Sequence, residues 1–141
     1  MPITRVATQV LWATASTKTV TSATESVSDV ITVDDSCVNL SIQVSADNQG
    51  TGTSGDTAVW RIQWSTGDVL ADSGDDYDTS EHAQYLTNLD TYGSNTPGED
   101  PARRTIEISP IAKKFKLAVT CANAATRNII VAARIEEQRA S

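Results

Sequence analysis

A chain of 141 residues with 18 acidic and 11 basic side chains, net −7, is long enough to bury one self-sufficient core. That balance argues against a nucleic-acid binder, which needs a basic footprint, and two cysteines with a single histidine supply neither a disulfide framework nor a self-contained zinc site. No stretch approaches the ~18 apolar residues of a membrane span, and MPITR at residues 1–5 leads into no signal-type apolar run. A soluble, membrane-free protein made in a reducing compartment is expected.

Val, Ile and Thr recur along the chain while Leu is sparse, and branched side chains favour a pleated surface over a helix. Residues 5–12 read as a first strand. Residues 1–12 together read as a docking arm, with Val10, Leu11 and Trp12 as its contacts to a neighbour. Short strands follow at 17–22 and 27–33. The clearest alternation is CVNLSIQVSA at 37–46, which puts Val38, Leu40, Ile42 and Val44 on one face. DNQGTGTSGD at 47–56 is a glycine-rich hairpin tip. TAVWRIQWS at 57–65 then aligns Ala58, Trp60, Ile62 and Trp64, so both tryptophans are expected in the core.

A weak strand at 68–71 opens into a long connection, residues 71–101. Connections beyond ~12–15 residues are uncommon unless they carry function. Its middle, 79–89, fits a short helix capped by Thr79 or Ser80, with Tyr85 and Leu89 four apart; Asn95-Thr96-Pro97-Gly98 ends it. Strands are predicted at 104–108, at KFKLAVTC (114–121), and at RNIIVAARIE (127–136). The sum is an all-β fold: a single antiparallel β-sandwich over residues 1–141, jelly-roll-like, with eight or nine short strands.

Chemistry is scarce. His82, the lone imidazole, sits beside Glu81 with no nucleophile motif near it, and reads as an exposed loop residue rather than a general base. Asp72, Asp75, Asp76, Asp78 and Glu81 offer oxygens for calcium, but their spacing lacks the order and closing glutamate of a helix–loop–helix site, so no metal or cofactor is assigned. A glycosidase would set its acids on facing rigid elements, not on one loop. No catalytic residue is assigned. Cys37 and Cys121 read as small hydrophobes, with a disulfide open to them if their strands are neighbours.

Charge is segregated along the chain. Residues 62–102 hold nine carboxylates and no Lys or Arg; residues 103–141 hold eight bases and three acids. Solvated faces explain most such patterns. The functional alternative makes Asp72, Asp75, Asp76, Asp78 and Glu81 a partner-facing surface that meets basic groups on another protein.

The layout TIEIS, the bend Pro110-Ile111-Ala112-Lys113, KFKLAVTC, a polar turn and NIIVAARI, preceded by CVNLSIQVSA, a Gly/Thr-rich tip and AVWRIQWS, resembles the small β-sandwich cement or decoration proteins of tailed bacteriophage capsids. The resemblance implies a non-enzymatic virion protein made in bacterial cytoplasm. It would bind the major capsid protein, or another virion protein, and itself as a homodimer or homotrimer. A carbohydrate-binding or host-adhesion module is the alternative, and needs Trp12 or Tyr77, Tyr85 and Tyr92 displayed together. A tail component is the other alternative within phage structure.

Overall fold

The computed structural model describes residues 2–49, 56–70, 74–79, 81–91, 102–124 and 128–140. Eleven strands lie within them: β1 (Ile3–Gln9), β2 (Lys18–Val20), β3 (Ser26–Val27), β4 (Ile31–Thr32), β5 (Cys37–Asn48), β6 (Thr57–Gly67), β7 (Asp76–Tyr77), β8 (Gln84–Asp90), β9 (Ala102–Ile108), β10 (Lys114–Cys121) and β11 (Ile129–Ala140).

Two antiparallel sheets pack face to face. The first runs β1–β11–β5–β9, with β2 sharing the β11 edge beyond β1; the second runs β3–β10–β6–β7, with β4 beside β3 on β10 and β8 beside β7 on β6. Counting β1/β2, β3/β4 and β7/β8 as three split strands leaves eight positions. Their order is that of a jelly roll, which reconciles eleven observed strands with the expected eight or nine.

The breaks have local causes. Between β1 and β2 the chain turns back through Trp12–Ala15, which exchange both backbone hydrogen bonds (2.8 and 2.9 Å). Ala13 and Thr14 both take positive φ, 48° and 72°, as a two-residue turn of this twist demands. A branched side chain is strained there. The Asp29 carboxylate compensates by accepting the N–H groups of Ala13 (2.9 Å) and Thr14 (3.0 Å). On β6 a bulge between Ser65 and Gly67 ends the ladder, and Gly67 supplies the required φ of +79°.

The inward faces of β5, β6, β10 and β11 form the core, and Trp60, Phe115, Leu40, Ile42, Ile62, Leu117, Ile129 and Ile135 are fully buried. Trp60 meets Trp12 edge-on (centroids 6.2 Å, 65°), and Trp64 packs on Phe115 at 5.2 Å. Both β6 tryptophans are therefore core residues, as their alternation predicts.

Two expected elements are different. Residues 79–89 are not a helix: Gln84–Asp90 is strand β8, hydrogen-bonded along β6. A single Tyr85/Leu89 pair is a weak helical preference, whereas the open β6 edge offers every backbone group a partner, and β8 buries Thr87 and Leu89 at period two. The strand expected at 68–71 is also missing from 68–70, which lie in a turn after Gly67 with both aliphatic side chains exposed; Ala71 lies outside the described residues.

Candidate docking tip

A jelly roll gathers its connections at two ends. At one end β2, β5, β8 and β10 finish and β3, β6, β9 and β11 begin; at the other β4, β6 and β9 finish and β5, β7 and β10 begin.

The first end is built around Asp56, which is fully buried. Its carboxylate accepts the side-chain amides of Asn48 (3.1 Å) and Asn123 (2.6 Å), and its carbonyl accepts Thr91 N–H (2.8 Å) and Thr91 Oγ1 (3.0 Å). Asn48 and Asn123 thus share the carboxylate while Thr91 takes the carbonyl, so residues beside the ends of β5, β8 and β10 are tied to Asp56. Such a network fixes loop positions, because each buried polar group depends on the others for its hydrogen bonds.

The second end has a different character. Val69 (70% exposed) and Leu70 (78%) leave strand β6, and Ile111 (73%) precedes strand β10, its neighbour in the sheet. These three large aliphatic side chains project into water among ion pairs: Lys114 with Asp75 (2.6 Å) and Lys113 with Asp35 (2.7 Å). Behind them Glu137 is buried against the core, accepting Asp34 N–H (2.7 Å) and the Arg139 guanidinium (2.8 Å). Hydrogen bonds from Ser36, side chain first and then backbone, hold the Asp34 carboxyl below its usual range. The tip therefore displays exposed apolar groups at the same end as a hydrogen-bonded Asp34–Glu137–Arg139 cluster.

Within the acidic loop two carboxylates, those of Asp75 and Asp76, have partners in the chain. Asp75 pairs with Lys114, and this contact raises the Lys114 pKa. Asp76 accepts Val69 N–H (3.0 Å), which shapes the turn displaying Val69 and Leu70. Lys116 sits over the Tyr77 ring at 4.4 Å, and burial pushes the Tyr77 hydroxyl up. Asp78 is half-buried, with its N–H donated to Trp64 O, while Glu81 is exposed; Asp72 lies outside the described residues. The segregation of charge along the sequence is thus partly closed by the fold, which lays the acidic β6–β8 connection beside basic β10. Among the described residues no three His, Cys, Asp or Glu side chains gather as a metal site.

The docking-arm reading also needs correction. Residues 3–9 form β1 against β11, and Val10 and Trp12 are buried in the protein's own core; only Leu11, 37% exposed, is open to a neighbour. The Ala13–Thr14 turn swings Trp12 under the second sheet, where burying indole surface outweighs leaving it in water. That burial also removes Trp12 from any sugar-stacking platform. Tyr77 is half-buried, Tyr85 is exposed, and Tyr92 lies outside the described residues. Cys37 and Cys121 are free thiols on different sheets at opposite ends of the sandwich.

Alternation could not reveal Val69, Leu70 and Ile111, because all three sit in turns. The available signal was their company: aliphatic pairs between Asp68 and Asp72, and an isoleucine directly after Pro110.

Fold and site define an all-β jelly-roll sandwich with an apolar display at one end. No protein-family model and no curated protein matches the sequence. Among solved structures the chain is similar to dimeric latent PorU from Porphyromonas gingivalis, with 8% identity and a TM-score of 0.46, over 97% of this chain and 13% of that one. So distant a likeness carries no weight for function.

Proposed function

We propose that the protein is a structural virion component that binds the outside of a phage capsid and stabilises the joints between its subunits. The observation that carries this reading is the tip: Val69, Leu70 and Ile111 all exposed at the end of the sandwich where β6 and β10 lie side by side. Isolated surface hydrophobes are ordinary, but clustered ones mark a contact with another protein. Around them, Asp75–Lys114 and Asp35–Lys113 supply a charged rim. An apolar centre with a polar rim is the anatomy of a protein–protein interface. The partner is the major capsid protein or another virion protein.

In this reading the binding surface combines the acidic side chains with the turns that Asp75 and Asp76 brace. Asp75 and Asp76 support the tip, and Asp78 and Glu81 flank it. Self-association as a homodimer or homotrimer fits the same role, since several weak contacts held together bind far more tightly than one.

The test is co-sedimentation of the purified protein with capsids lacking it. Leu70→Asp with Ile111→Asp should abolish binding while leaving the melting temperature unchanged, because both side chains are already in water. Undiminished binding by that variant overturns the tip as the contact.

A further inference from the structure

The outward face of the first sheet carries a second feature, unconnected with the tip. Gln43 of β5 lies opposite both Arg134 of β11 and Thr105 of β9; two residues along, Ser45 lies opposite both Ala132 and Arg103. Gln9 of β1 extends the first row beyond Arg134. Small side chains at Ala132 and Ser45 make a floor, and long ones around them make a rim. The result is an open basin of about 480 Å³. That lies within the ~300–1,000 Å³ typical of ligand sites.

Two arginines in this basin, Arg103 and Arg134, are exposed and make no hydrogen bond or ion pair among the described residues. They stand two strands apart and two residues out of step, about 12 Å between Cα atoms at ~4.8 Å per strand and ~3.4 Å per residue. Their side chains can therefore converge on one group above Ser45 and Gln43. Of the nearby carboxylates, Glu136 pairs with Arg5 (3.0 Å), Asp47 accepts the neutral Gln49 amide (2.9 Å), and Glu107 lies beyond Thr105. On a chain of net −7, two uncommitted guanidiniums facing one depression are an anomaly in charge placement.

We infer that this basin binds an acidic saccharide, with a sugar carboxylate held between Arg103 and Arg134. The planar guanidinium fork matches a carboxylate, and charge-assisted pairs of this kind are the stronger hydrogen bonds. Gln43, Ser45 and Thr105 each offer donors and acceptors suited to ring hydroxyls. A protein or peptide ligand is the poorer fit, because such interfaces centre on large apolar anchors. Here the apolar lining is Ala132 together with Val44 and Ala133, whose side chains belong to the core.

Titration calorimetry with tri-galacturonate, its neutral tri-galactose counterpart and tri-glutamate tests the assignment. Tri-galacturonate should bind in low salt, and at least 10-fold more tightly than either of the others. Arg103→Gln with Arg134→Gln should weaken it at least 10-fold with an unchanged melting temperature, while Leu70→Asp with Ile111→Asp leaves it intact. No binding at millimolar tri-galacturonate, or equal binding by the arginine variant, overturns the site. Equal binding of tri-glutamate overturns the saccharide assignment.

Discussion

Trp60 offers the sharpest test of the core. It lies in the middle of β6 between Val119 of β10 and Thr87 of β8, has no exposed surface, and meets Trp12 edge-on. Trp60→Ala removes the whole indole from a close-packed site, which costs about 3–5 kcal/mol. For a domain of this size, at ~3–4 °C per kcal/mol, the melting temperature should fall by roughly 9–20 °C. The Trp60 Nε1–H is buried with no hydrogen-bond partner among the described residues, and a donor in that position costs ~1–3 kcal/mol of desolvation. Trp60→Phe deletes that donor while keeping an aromatic ring against Trp12, so its net cost should stay within about 1–2 kcal/mol. Urea unfolding at constant m-value reads both changes. The reasoning is refuted if the alanine variant lies within 1 kcal/mol of the parent, or if phenylalanine costs as much as alanine.

Burial pushes the Cys121 thiol up to about 12, against about 9 when exposed. Between those values the unfolded chain ionises and the folded one does not, so stability should fall as pH rises from about 9 to 12, by up to ~4 kcal/mol. Cys121→Ala should lack that part of the alkaline slope in pH-dependent urea melts, and identical slopes would refute the assignment. Thr14→Gly should stabilise the fold by about 1 kcal/mol, because a branched residue at φ 72° is strained and glycine is not; an unchanged urea midpoint would contradict this. Strand β1 is a sheet edge with seven residues, so light scattering at tens of micromolar should report a dimer or trimer. A strict monomer there argues against self-association.

Strands that alternate over eight or more residues were legible in the sequence because burial on one face imposes a period of two. β5, β6, β10 and β11 all sit where that pattern places them, within a few residues. The pattern fails where an edge decides structure. Residues 84–90 carry too few apolar positions to declare a strand, and only the neighbouring β6 edge makes them one. Strands β3 and β4 are two residues each, below the reach of any periodicity. The site was less legible still. Val10 and Trp12 looked like contacts because they sit near a terminus, and the positive-φ turn that returns them to the core has neither the Asn nor the Gly that usually announces it. Within the acidic stretch Asp75 has its complement, Lys114, 39 residues further along the same chain. Basic and acidic segments that are distant in sequence pair only once sheet order is known.

The central claim is that the protein sits on the outside of a capsid, attached through its aliphatic tip. Cryo-electron microscopy of virions carrying the tagged protein tests it directly. The account predicts extra density repeated with capsid symmetry over subunit joints on the head, with the loops holding Val69, Leu70 and Ile111 facing the shell. Density confined to the tail, or virions without the protein, would contradict it.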